Sequence, residues 1–168
     1  MPIRELLTQR ELRRLETLIH DDDYSTIDAF GDKRGTVGAV ALDRSGNLAA
    51  ATSTGGTPRK IPGRVGDTPL IGCGTFAENR VGGISCTGWG EAIMKVMLAR
   101  EAAEMMRQGR TAQEAAEEGI RVLETRAGGF GGMICLDSAG GIGIAYNTPR
   151  MARGFRTAGM DRPVVAVS

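Results

Sequence analysis

The sequence predicts an α+β layered sandwich, and three observations carry that expectation. Apolar segments of strand character come in hairpin pairs, two helical segments are set apart from those hairpins, and glycine collects beside the apolar runs. Glycine makes up 25 of 168 residues, about twice the ~7% average. Its clusters (Gly55-Gly56, Gly82-Gly83, Gly128-Gly129, Gly131-Gly132, Gly140-Gly141) do not repeat, so they suit turns and close backbone approaches, not low complexity. Aromatic residues are only 4% of the chain, which leaves the core to Ala, Val, Ile, Leu and Met.

In chain order, residues 4–19 place Leu12, Leu15, Leu18 and Ile19 at three- and four-residue steps opposite Arg and Glu, the pattern of an amphipathic helix. Residues 20–35 (HDDDYSTIDAFGDKRG) are polar and end in glycine, which reads as a linker. TVGAVALD (36–43) and LAAATS (48–53) flank Arg44-Ser45-Gly46-Asn47 and predict a hairpin. Residues 54–80 carry Gly, Pro and charge and read as loop, and VGGISC (81–86) as a short strand. Residues 91–108 hold Ile93, Met94, Met97, Leu98, Ala102, Met105 and Met106 on one helical period, closed by Gly109. The methionines on this face read as core filler. Thr111-Ala112-Gln113-Glu114 is a capping-box signature that opens a second helix running to about Arg126. GGMICLD (131–137) and IGIAYN (142–147) around a Ser-Ala-Gly-Gly turn predict a second hairpin.

Composition excludes several classes of function. A net charge of +1 argues against nucleic acid as a partner, and no stretch approaches the ~18 apolar residues of a membrane span. MPIRELLTQRELRR has no apolar core of the kind a signal peptide needs, so a cytoplasmic location is expected. Cys73, Cys86 and Cys135 form no CxxC pair and read as reduced, buried thiols, not as a metal site. His20 is the only histidine and lies beside Asp21-Asp22-Asp23, away from any nucleophile, so it reads as a solvated residue at a helix end.

Thr36, after Gly35 at the junction of linker and strand, supports two readings. It is either a β-branched residue that begins a buried strand or an N-terminal nucleophile. In the second case its own α-amine, freed by cleavage of Gly35-Thr36, acts as the base, and the enzyme needs no histidine. The motifs TVGAVALDRSGNLAAATSTGG (36–56), PGRVGDTPLIGCGTFAEN (62–79) and SCTGWGEAIMK (85–95) decide between them by resemblance. In that order they resemble the β-subunit of the isoaspartyl peptidase/L-asparaginase family, plant-type asparaginases of the N-terminal nucleophile hydrolase superfamily, from about Gly35 to about Gly159. TSTGG and TGWGE favour this branch over the glycosylasparaginases, which remain an alternative amidase reading.

The resemblance implies an αββα sandwich, of which this chain holds only part, and hydrolysis of the asparagine side-chain amide or of β-aspartyl peptides. Thr36 matches the nucleophile released by autoproteolysis at Gly35-Thr36, and Thr54 matches the threonine that orients it. Thr87 and Gly88 match the oxyanion hole, a hydroxyl plus a backbone N–H. Arg64 and Asp67, in GRVGD, match the pair that grips the substrate's α-carboxylate and α-ammonium, and Gly90 matches a substrate-contacting glycine. Trp89 departs from the family pattern, where a small or polar residue, commonly histidine, stands.

Residues 1–35 are expected to be the remnant of the α-subunit's last helix plus linker, and 36–168 the nucleophile-bearing domain. The family's longer α-subunit supplies about half of both sheets, a substrate-binding asparagine and a sodium loop. No cofactor is therefore expected, and a structural sodium ion would enter only through that missing segment. The expected partners are a small-molecule or dipeptide substrate and either the missing α-segment or another copy of the chain. An uncleaved, non-catalytic assembly subunit is the alternative of another class. Alone, the chain is expected to be oligomeric or prone to aggregate.

Overall fold

The computed structural model describes residues 35–57 and 60–167, together with Gln9, Leu12, Arg13 and Glu16, which are helical. The rest of the expected helix at 4–19, the linker at 20–34 and His20 lie outside the described residues. The chain divides into two compact units, Met1–Gly35 with Gly55–Arg64, and Thr36–Thr54 with Val65–Ser168.

The larger unit begins with the predicted hairpin, β1 (Val37–Leu42) and β2 (Leu48–Ser53). Its turn is built on Asp43, whose Oδ1 accepts the N–H groups of Ser45 and Asn47 at 2.8 Å, while Gly46 takes φ +83°. The side-chain bond from Asn47 is the main reason the Asp43 carboxyl sits below its ordinary range. A four-stranded antiparallel sheet follows in the order β3 (Thr75–Glu78), β4 (Gly82–Gly88), β5 (Gly131–Asp137), β6 (Ile142–Tyr146). A separate short pair, β7 (Arg153–Phe155) and β8 (Val164–Ala166), ends the unit.

Alternate residues of β4 serve two different faces, as strand geometry requires. Ile84 and Cys86 are buried in the core with Met133 and Cys135 of β5, under the helices. Gly83 and Ser85 face the hairpin: a Cβ on Gly83 would touch Val40 and the Ala49 carbonyl, and one on Gly38 would lie 2.1 Å from Ser85 Oγ. Small residues thus let the hairpin approach the sheet closely, while Ala-rich helices cover the other face.

The region 91–108 is two helices, α1 (Gly90–Val96) and α2 (Leu98–Arg107), not one. Met97 breaks it in the left-handed region at φ +47°. Neither Gly nor Pro marks the break, because its cause is tertiary. The first N–H groups of α2, on Ala99 and Arg100, donate to the carbonyls of Cys73 and Gly72 at 3.0 and 2.8 Å, which supplies partners the helix itself cannot. The methionine stripe is correspondingly split: Met106 is buried and Met105 packs on the core, but Met97 is half exposed. α3 (Ala112–Ala127) starts with the predicted capping box on Thr111 and Glu114 and ends on Gly128 in the left-handed region. The stretch at 54–80, expected to be loop, contains β3, and neither β7 nor β8 was anticipated.

Candidate active site

Thr36 and Thr54 stand one residue beyond Val37↔Ser53, the last pair of the β1–β2 ladder. Their hydroxyls meet at 3.4 Å, with Thr36 Oγ1 donating to Thr54 Oγ1. Both share the strand parity of Gly38 and Thr52, so they belong to the hairpin face turned toward the sheet. The close approaches fix the direction of crossing. Gly83 lies against Val40, and Ser85 against Gly38. The next step on each strand brings Thr87 toward the end of the hairpin that carries Thr36. Beneath this end is a chain of hydroxyls: Thr75 Oγ1 donates to Thr52 Oγ1 at 2.5 Å, and Thr52 Oγ1 shares a bond of 2.7 Å with Ser85 Oγ.

Thr87 and Gly88 close β4. Gly88 has φ +137°, and a Cβ there would lie 2.4 Å from both Gly131 Cα and the Phe130 carbonyl oxygen, so only glycine fits. Trp89 N–H donates to the Phe130 carbonyl at 3.0 Å, which makes 89/130 a hydrogen-bonded pair. The alternation of an antiparallel ladder then turns the Gly88 N–H away from β5. The Trp89 indole stacks on Phe130 with ring centroids 5.9 Å apart. Gly90 is buried as the first residue of α1.

Asp67 is 7% exposed and sits in the loop before β3. Its carbonyl accepts the N–H groups of Leu70 and Gly74 at 3.0 and 3.1 Å, and its carboxylate occupies the space a Gly74 side chain would fill. The Gly74 carbonyl accepts from Cys86 N–H at 2.8 Å and from Thr52 Oγ1 at 3.4 Å, which ties Asp67 to the hydroxyl chain through one residue. Arg64 belongs to the smaller unit, where its N–H donates to the Ile61 carbonyl at 3.0 Å and its guanidinium lies over Gly56.

The larger unit holds Thr36, Thr54, Thr87, Gly88, Gly90 and Asp67, and Arg64 lies in the smaller unit. The strand crossing carries Thr87 toward the Thr36–Thr54 pair, and Asp67 connects to the hydroxyl chain through Gly74. The three cysteines are free and buried. Burial pushes the Cys135 thiol up to about 12 and raises those of Cys73 and Cys86, which disfavours the thiolate form at all three. Among the described residues no cluster of His, Cys, Asp or Glu could hold a metal ion, and no helix is long and apolar enough to cross a membrane. Sequence reasoning missed the hydroxyls of Thr52, Thr75 and Ser85, and also Phe130 and Asn147. Each owes its position to a contact far along the chain, and only the glycine cluster at 128–132 hinted at the last two.

The described residues thus form an α+β core in which two threonine hydroxyls meet at the end of the β1–β2 hairpin. The chain belongs to the asparaginase family, whose pattern matches residues 3–165. It is 44% identical over 152 residues to the isoaspartyl peptidase/L-asparaginase of Xenopus laevis, covering 90% of this chain and 48% of that protein. The Homo sapiens protein of the same name is 44% identical over 140 residues, covering 83% and 45%. The isoaspartyl peptidase of Escherichia coli (strain K12) is 46% identical over 136 residues, covering 80% and 42%. The chain thus spans just under half the length of these relatives.

Proposed function

We propose that this chain is the nucleophile-bearing part of a threonine-dependent amidohydrolase that acts on the side-chain amide of asparagine and on β-aspartyl peptides. The observation that carries the reading is the Thr36–Thr54 hydroxyl pair, 3.4 Å apart, at the hairpin end toward which Thr87 and Gly88 step. Family membership and the names of the relatives support the substrate class.

Cleavage of Gly35-Thr36 frees the Thr36 α-amine, which takes the hydroxyl proton as Oγ1 attacks the side-chain carbonyl. Thr54 orients that hydroxyl. Thr87 Oγ1 and the Gly88 N–H stabilise the oxyanion. Ammonia or an amine leaves with the transferred proton, and water then releases aspartate from the ester. Asp67 holds the substrate ammonium and Arg64 its carboxylate, the latter through a planar fork.

The active protein is completed by a second segment equivalent to the half of the relatives that this chain does not match. In this reading it pairs with the open edge of β1, where Val37 is 70% exposed, and builds the αββα sandwich. The test is hydrolysis of β-aspartyl dipeptides and asparagine by the chain with and without that segment. Activity that needs the segment and is lost in Thr36→Ala supports the reading. Activity retained in Thr36→Ala, or none in either preparation, contradicts it.

A further inference from the structure

We propose that Asn147 is a positioning residue that braces the Thr87–Gly88 segment through its side-chain amide. The inference deepens the proposed function and, for its catalytic consequence, rests on that reading. At the end of the β5–β6 ladder, Asn147 N–H donates to the Gly131 carbonyl at 3.0 Å. In a regular ladder the return bond from Gly131 N–H would go to the Asn147 backbone carbonyl. Here it goes to the Asn147 side chain, with Gly131 N–H donating to Oδ1 at 2.8 Å. The other half of the amide is used as well, since Nδ2 donates to the Gly129 carbonyl at 3.2 Å. One side chain therefore satisfies both ends of the turn at 129–131, which no backbone group at this place could do.

That turn is the surface on which Thr87, Gly88 and Trp89 rest. A Cβ on Gly131 would lie 2.4 Å from the Thr87 carbonyl oxygen, and one on Gly88 the same distance from Gly131 Cα. Phe130 accepts the Trp89 N–H and stacks on its indole. The far end of the turn is anchored independently, as the Gly128 and Gly129 N–H groups donate to the last carbonyls of α3. Asn147 holds the near end. Without its amide, Gly129 to Gly131 keep their anchor on α3 and the Trp89–Phe130 bond to β4 but lose the two bonds that tie the turn to the end of β6, so the platform against which Thr87 and Gly88 pack loosens. An oxyanion donor misplaced by even about 1 Å loses much of its effect on the transition state. The ionic part of the substrate grip, assigned to Arg64 and Asp67, does not pass through this turn.

The test compares Asn147→Ala and Asn147→Asp with the unmodified chain, each with any complementary segment that co-purifies. Amide hydrogen exchange is followed in peptides covering 86–90 and 129–132, and β-aspartyl dipeptide hydrolysis is followed in parallel. Asn147→Ala should speed exchange in both peptides at least tenfold, leave α3 protected, and lower kcat at least tenfold with KM changed less than about twofold. Asn147→Asp keeps the acceptor for Gly131 N–H and should recover part of both losses. Unchanged exchange at 86–90 in Asn147→Ala overturns the proposal, as does a fall in kcat/KM carried by KM alone. If the unmodified protein hydrolyses no β-aspartyl dipeptide, the hydrolase reading fails, while the exchange result still decides whether Asn147 braces the segment. Should Asn147→Ala fail to fold, Asn147→Ser serves for the same exchange comparison.

Discussion

Thr36 is the residue on which the proposed chemistry turns: it stands just before β1, which has no buried residue and so is not the buried strand expected, and its hydroxyl donates to Thr54. Thr36→Ala should abolish both self-cleavage and hydrolysis, and Thr36→Ser should keep part of each, because only the hydroxyl is indispensable. An N-terminal sequence and a dipeptide assay on each variant check this. Replacing Arg64 by Ala should leave the substrate carboxylate unpaired, at a cost of about 2–4 kcal/mol in kcat/KM. Lysine should restore only part, since it lacks the fork. Gly88→Ala meets backbone atoms at 2.4 Å in a region of φ that L-residues avoid, and should cost about 2 kcal/mol or more in stability. Chemical denaturation measures that loss. Of these positions, the threonines, Arg64, Asp67 and the Thr87–Gly90 run could be proposed from sequence because each stands inside a motif. Asn147 could not, because its role depends on Gly129 and Gly131 across a hairpin.

At the scale of elements, legibility followed how local the forces are. The capping box at Thr111 and the turn at Asp43 are satisfied within four residues, and both could be read from sequence. The break at Met97 could not, because it exists to let α2 donate to Gly72 and Cys73. β3 was hidden for the same reason: four residues become a strand only by pairing with β4. The cap yields a prediction. Thr111→Ala should destabilise the fold by about 1 kcal/mol in urea unfolding. Glu114 carries a pH dependence as well, since its bonds to the Thr111 N–H and hydroxyl hold its carboxyl below the ordinary range. The unfolded chain then binds the proton more tightly, so this contribution is complete above the unfolded value of about 4.3 and disappears as pH falls through the folded one. Urea midpoints of the parent and of Glu114→Gln should therefore converge as the pH falls below about 4.

For the whole molecule, the larger unit has one helix-covered sheet face and a hairpin whose outer strand pairs only with β2 among the described residues. Val37, Val165 and Val167 remain 70%, 69% and 66% exposed. Open apolar strand edges favour association, and the chain spans just under half of its relatives. On its own it should therefore sediment as oligomer or aggregate, and with the complementary segment as a defined complex. A stable monomer of the 17.7 kDa chain that is fully active alone would show that no second segment is needed. The central claim is narrower: Thr36 becomes an N-terminus and then the nucleophile. Intact mass of the denatured, catalytically active complex tests it most directly. The account predicts that this chain appears as two pieces, one ending at Gly35 and one beginning at Thr36. An active complex in which the chain keeps its full 17.7 kDa mass would contradict it.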